Sequence, residues 1–186
     1  MKQVFEAAQQ IQSFFKDNNW QFCFIGGIAL QRWAKPRLTN DADLTLLTGF
    51  GEEEKFIDKI LEKFKSRIDN PKEFSLRRRV VLLEVEGIGV DISLGALFFE
   101  ENAVNRATNY QFLKGISLIT CSAEDLIVYK AFANRTKDWA DIENVVTFQT
   151  SLDWTYVYEQ LTPLVELKEE PEILTKLNKL KKETDL

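Results

Sequence analysis

No histidine occurs among the 186 residues. That absence excludes Ser-His-Asp and Cys-His nucleophilic catalysis, histidine-ligated zinc, and ribonuclease mechanisms that need an imidazole. Cysteine is nearly absent too: Cys23 lies within an apolar segment and Cys121 ends another. Two distant thiols form neither a metal-ligand spacing nor a disulfide framework, so a reducing cytoplasm is the expected setting. No apolar run is long enough to span a membrane, and Met1-Lys2-Gln3-Val4-Phe5-Glu6-Ala7-Ala8 lacks the hydrophobic region of a signal peptide, so no membrane association is expected. Repeats, low-complexity blocks and long linkers are also missing. The formal charge of -5 argues against a bulk nucleic-acid coat protein, because non-specific affinity comes from lysine and arginine neutralising phosphates. An enzyme that visits one RNA end needs only a local patch. Carboxylate and metal chemistry survives all of these filters.

What is present supports a sizeable core: 45% of residues are hydrophobic and 14 are phenylalanine, enough for one domain with a helical extension and no metal or disulfide support. Val4, Ala7, Ala8, Ile11, Phe14 and Phe15 recur at helical spacing and predict a helix over 3–17. Phe56, Ile57, Ile60, Leu61 and Phe64 predict another over 52–68. Residues 21–25 read as a buried strand, Gly26-Gly27 as a tight turn, and 28–34 as a short helix stopped by Lys35-Pro36. Residues 80–86 are a strand, with Gly87-Ile88-Gly89 as the hairpin connection to the next. The chain then passes through Leu97-Phe98-Phe99 and a polar stretch to a short hairpin built from 110–113 and 116–119. From Ser122, an N-cap, the reading is helical, ending in an apolar stripe of Ile173, Leu174, Leu177 and Leu180.

The chemistry concentrates in two alternating segments. In Asp41-Ala42-Asp43-Leu44-Thr45-Leu46-Leu47, a strand puts Asp41 and Asp43 on one face and Ala42, Leu44 and Leu46 on the other. In Val90-Asp91-Ile92-Ser93-Leu94, Asp91 likewise opposes its apolar neighbours. Carboxylates so close repel each other unless a cation lies between them, and Mg2+ prefers such oxygen ligands. Three carboxylates converging on one sheet face can hold two metal ions. Glycines at a strand-to-helix turn let a phosphate approach the backbone, although a turn by itself explains most such pairs. Arg77-Arg78-Arg79 is read as a basic strand start, either a solvated end or a patch for RNA.

The ordered string Gly26-Gly27-Ile28-Ala29, then Arg37-Leu38-Thr39-Asn40-Asp41-Ala42-Asp43-Leu44, then Val90-Asp91-Ile92, resembles the DNA polymerase β-like nucleotidyltransferase superfamily. It is most similar to the small bacterial branch that includes the AbiEii-type toxin nucleotidyltransferases. The segment from Asp125 through Lys130 and Lys137-Asp138-Trp139-Ala140-Asp141 is similar to the lysine-bearing helix and Lys-Asp-x-x-Asp element of that branch.

The resemblance implies an α/β (α+β) nucleotidyltransferase fold, a mixed sheet flanked by helices over 1–120 with a C-terminal helical cap over 121–186. It implies that Gly26 and Gly27 cradle the triphosphate, that Asp41, Asp43 and Asp91 bind two Mg2+ ions, and that Asp91 helps activate an acceptor hydroxyl. The implied reaction is attack of that hydroxyl on the α-phosphate of a nucleoside triphosphate, releasing pyrophosphate. Acceptors to expect are RNA such as tRNA, or a protein, with an antitoxin as partner; a small-molecule antibiotic acceptor and a non-catalytic nucleotide-binding module are the alternatives. Lys130 reads either as a neutraliser of triphosphate charge or as a snorkelling surface lysine. Asp138 fits the first turn of a helix, while Lys137 and Asp141 fit substrate contact or a structural ion pair. Arg37 and Thr39 either position the nucleotide or brace the loop before the strand.

Overall fold

Apolar residues at helical spacing open the chain: Val4, Phe5, Ala7, Ala8, Ile11 and Phe15 are buried along one side of α1 (Lys2–Asp17), as a 3.6-residue period requires. The structure, a computed structural model, describes residues 1–184. There follow β1 (Phe22–Phe24), α2 (Gly26–Trp33), β2 (Asp41–Leu47), α3 (Glu53–Lys63), β3 (Lys65–Ser66), α4 (Pro71–Arg78), β4 (Val80–Val85), β5 (Ile88–Gly95), α5 (Phe98–Arg106), β6 (Thr108–Leu113) and β7 (Ile116–Thr120). The helices α6 (Ala123–Ala133), α7 (Thr136–Phe148), α8 (Trp154–Lys168) and α9 (Glu172–Thr184) complete it. This is the mixed α/β architecture expected from the sequence. The elements group into two compact units, residues 1–28 with 38–121, and residues 29–37 with the chain from 122 onward.

The first unit holds the whole sheet, in the order β3-β4-β5-β2-β1-β7-β6. β2 runs parallel to β5 and antiparallel to β1, so the sheet is mixed at its centre. One face carries Ala42, Leu44 and Leu46 of β2, Val90, Ile92 and Leu94 of β5, and Val81, Leu83 and Val85 of β4, packed with the buried stripe of α1 and with Ile57 and Ile60 of α3. Phe15 stacks edge-on to Phe22 at 5.2 Å and lies 5.3 Å from Trp20 between ring centroids, which ties α1 to the sheet.

Four local expectations are corrected. The helix predicted over 52–68 stops at Lys63, because Phe64 turns extended and Lys65 and Ser66 pair with Glu84 and Leu83 of β4. Arg77 and Arg78 end a helix that proline opens at its first turn, rather than starting a strand. Arg79 is the left-handed cap of that helix, and its guanidinium donates to the carbonyls of Leu94 and Gly49 and pairs with Glu53. The polar stretch after Leu97 is α5, whose start is secured by Glu100 accepting from the backbone N–H groups of Ala96 and Leu97 at 2.9 Å each. The β4–β5 turn is made by Glu86 and Gly87, both at positive φ, as a two-residue hairpin needs, and Gly89 is already in the strand.

In the second unit α6 is apolar nearly all round, with Leu126, Ile127, Val128 and Ala131 buried among α7, α8 and α9. Ser122 caps it as expected, accepting from the N–H of Asp125 at 3.1 Å. The buried Asp125 carboxylate is met by the Ser122 hydroxyl at 2.7 Å and by Tyr156 Oη at 2.6 Å. Asn144 and Gln149 donate to the carbonyls of Lys35 and Trp33, fastening residues 29–37 to α7 and its end.

Three cations and two carboxylates pair with one another inside this unit. The Lys130 ammonium, on a residue only 5% exposed, donates to Asp141 Oδ2 at 2.6 Å and Asp138 Oδ1 at 3.4 Å. Arg37 grips Asp141 in a fork, Nε to Oδ1 and Nη2 to Oδ2, both at 2.7 Å, and Arg135 donates to Asp138 at 2.5 Å. Burial by itself would raise both carboxyls; the guanidinium and ammonium partners outweigh it and hold Asp138 and Asp141 below the ordinary range. A depressed folded pKa means that the stability they contribute is present above the unfolded value of about 4 and is lost as pH falls through the folded values. Asp141→Asn will therefore lower the unfolding free energy by about 3 kcal/mol at neutral pH, because Lys130 stays buried with one partner fewer. In urea titrations across pH, that deficit will shrink toward zero below about pH 4.

Candidate active site

β2 and β5 pair in parallel from Asp41↔Gly89 to Leu47↔Gly95, with Asp43 beside Asp91. Alternation places Asp41, Asp43 and Asp91 on the face opposite the buried Ala42, Leu44, Val90 and Ile92. Neighbouring strands lie about 4.8 Å apart, so Asp43 and Asp91 are adjacent carboxylates and Asp41 is one step along the same strand face. Asp41 is exposed, and Asp43 and Asp91 are half-buried. Burial pushes the Asp91 carboxyl up, Arg67 pulls it down, Asp41 adds to the upward push, and the net direction is upward.

The glycine pair lies against these strands. Ile25 donates its N–H to the carbonyl of Asp43 at 2.9 Å, and α2 begins at Gly26 itself, without the two-residue turn expected from the sequence. Gly26 has φ +55°, and a Cβ there would run into the Asp43 side chain, with its Cβ at 2.8 Å and its carboxylate closer still. A Cβ on Gly27 would meet the Thr39 hydroxyl, with Thr39 Cβ at 2.8 Å. Only glycine lets the start of a helix, with its outward-pointing N–H groups, lie this near the carboxylates. The buried Thr39 hydroxyl donates to Asp41 Oδ1 at 3.1 Å and so braces that carboxylate.

Gly26, Gly27, Thr39, Asp41, Asp43 and Asp91 all belong to the first unit; Arg37, Lys130 and Lys137 belong to the second. There Arg37 and Lys130 share Asp141, and Lys137 is exposed on α7. One residue at the carboxylates was not foreseen. Arg67, just after β3, donates from Nη2 to Asp91 Oδ1 at 2.5 Å. No signal in the sequence marks it, since the contact depends on the pairing of β3 with β4.

Among the described residues no three His, Cys, Asp or Glu side chains gather closely enough to hold a metal ion by themselves. The donor chemistry nonetheless fits Mg2+, which takes hard oxygen ligands, commonly one or two carboxylates, and completes its shell with substrate phosphates and water. Among those residues, no helix is long and apolar enough to cross a membrane.

Gly26→Ala will cost about 1–2 kcal/mol in urea unfolding from the left-handed backbone alone. Because its methyl group also displaces Asp43, the double variant Gly26→Ala/Asp43→Gly will lose less than the sum of the single losses.

Several solved structures share the fold. An antigenic nucleotidyltransferase-like protein from Paracoccidioides brasiliensis superposes with a TM-score of 0.55 at 14% identity, over 94% of this chain and 92% of that one. The lincosamide antibiotic adenylyltransferase LnuA, bound to lincomycin, does so with 0.53 at 13% identity, over 77% and 97%. ANT(2'')-Ia in complex with adenylyl-2''-tobramycin gives 0.54 at 18% identity, over 90% and 99%. No curated protein matches the chain significantly. Residues 1–181 match the family described as nucleotidyltransferase of unknown function (DUF6036), and with nearly its whole length covered the chain belongs to that nucleotidyltransferase family.

Proposed function

We propose that this nucleotidyltransferase uses Mg2+ to transfer a nucleoside monophosphate from a nucleoside triphosphate to a hydroxyl on RNA, such as tRNA, or on a protein, as the toxin of a toxin–antitoxin pair. The observation that carries the chemistry is the side-by-side placement of Asp43 and Asp91, with Asp41 on the same face and the glycine-led start of α2 against Asp43. The toxin assignment and the antitoxin partner rest on the resemblance of the 26–29, 37–44, 90–92 and 125–141 segments to the AbiEii-type branch.

In this reading the backbone N–H groups at Gly26 and Gly27 receive the triphosphate, as the start of a helix favours an anion. Asp41, Asp43 and Asp91 are the ligands of Mg2+, and Thr39 holds Asp41 in its orientation. When bound, the ion offsets charge on the triphosphate and on the departing pyrophosphate. A bond forms between the acceptor oxygen and the α-phosphorus while the bridging bond to the β-phosphate breaks. The hydroxyl proton passes to Asp91, the carboxylate beside Asp43 on the sheet face. Arg37 and Lys137 are exposed basic residues of the second unit. Lys130 acts behind Arg37 through the Asp141 that they share and is assigned a positioning role.

A small-molecule hydroxyl is the second reading of the acceptor, supported by the two antibiotic adenylyltransferases that share the fold. Incubation with each α-32P-labelled nucleoside triphosphate, Mg2+, and tRNA, lysate protein or an aminoglycoside and lincosamide panel separates the readings. Label is expected on RNA or protein with the wild type, and Asp41→Ala/Asp43→Ala should reduce transfer by more than about a thousandfold. Label on an antibiotic alone would move the acceptor to the second reading. No transfer to any acceptor, with nucleotide binding unchanged by the double substitution, would leave a non-catalytic binding module.

A further inference from the structure

Arg67 stands at the open edge of the carboxylate group. Its backbone N–H donates to the carbonyl of Leu82 at 3.2 Å, and Leu82 is the β4 residue paired with Asp91. From that anchor the side chain reaches Asp91. The guanidinium also covers Gly89: a Cβ on that residue would come within 2.5 Å of Arg67 Nη1 and 4.0 Å of Asp41 Cβ. Gly89 is the register partner of Asp41. Arg67 therefore lies over the patch that separates Asp41 from Asp91, where a cation lowers the mutual repulsion of the two carboxylates. Glycine at 89 is what leaves that patch open.

We propose that Arg67 is a resident counter-cation that competes with the divalent ion for Asp91, so that breaking this ion pair sets the divalent concentration at which the site loads. The inference rests on the metal-dependent reading above and adds to it a regulatory device. Three features favour an exchangeable contact. The two side chains are 33% and 31% exposed, so water can replace either partner. Arg67 follows a strand of only two residues at the edge of the sheet, where its long arm can swing outward. A guanidinium carries a single positive charge, so a divalent ion gains more from the same carboxylates and can displace it. The contrast with Asp138 and Asp141 is direct, since both are nearly fully buried with their cations around them.

Mn2+ alone serves as the probe, with free ion counted by electron paramagnetic resonance at low ionic strength. Arg67→Gln is expected to bind Mn2+ about tenfold more tightly than the wild type, and adding Asp91→Asn should abolish that gain. Arg67→Lys, which keeps the charge and the stem, should stay within about threefold of the wild type and serves as a second variant if Arg67→Gln unfolds. Equal or weaker Mn2+ binding by Arg67→Gln, or a gain that survives Asp91→Asn, overturns the role of Arg67 and leaves the metal-dependent reading standing. An absence of binding at millimolar Mn2+ in wild type and Arg67→Gln alike overturns both.

Discussion

The parallel register of β2 against β5 is the constraint on which the rest of the first unit depends. It sets Asp43 beside Asp91, and the same register buries Ala42, Leu44, Val90 and Ile92 on the opposite face. A slip of one residue would send the carboxylates into the core and the aliphatic side chains to solvent. Hydrophobic burial thus enforces an electrostatic arrangement that would not form on its own terms, because like charges on neighbouring strands repel. The core and the candidate site are two faces of one pairing.

Each unit handles concentrated charge differently. In the second unit Arg37, Lys130 and Arg135 surround Asp138 and Asp141, and the deep burial of Lys130 and both carboxylates requires that each be paired. In the first unit Asp41, Asp43 and Asp91 stay partly open to water, braced by Thr39 and approached by Arg67 from the sheet edge. A buried network of nearly balanced charge holds structure. The half-open group carries an excess of carboxylates over cations, the charge that a divalent ion would offset in the metal-dependent reading proposed above.

Much of this fold was legible from periodicity. The alternation in 41–47 and 90–94 and the helical spacing of 3–17 each matched an element, because in these segments the buried face and the local preference agree. The Ser122 start of α6 was legible from its capping residues. Where they conflicted, tertiary pairing won. Lys65 and Ser66 look like the end of a helix but complete a sheet edge with β4, and Arg79 adopts a left-handed cap stabilised by carbonyls that the sequence places 15 and 30 residues away. α5 escaped notice because its apolar face is short and its N-terminal bonds run to the side chain of Glu100.

The sequence by itself determined which chemistry the chain can carry: it holds no imidazole, it sets two aspartates on one strand face and a third on another, and it places a glycine pair ahead of them. Those properties are local, because alternation along a strand and the lack of a Cβ do not depend on distant residues. Only the tertiary structure decided that Asp43 and Asp91 are register partners, that the Gly26 backbone closes against Asp43, that Lys130 and Arg37 share Asp141, and that Arg67 reaches Asp91. Each brings together residues at least 11 positions apart in the chain. Such contacts are selected by the packing of a common core and the pairing of strands, which local sequence does not specify.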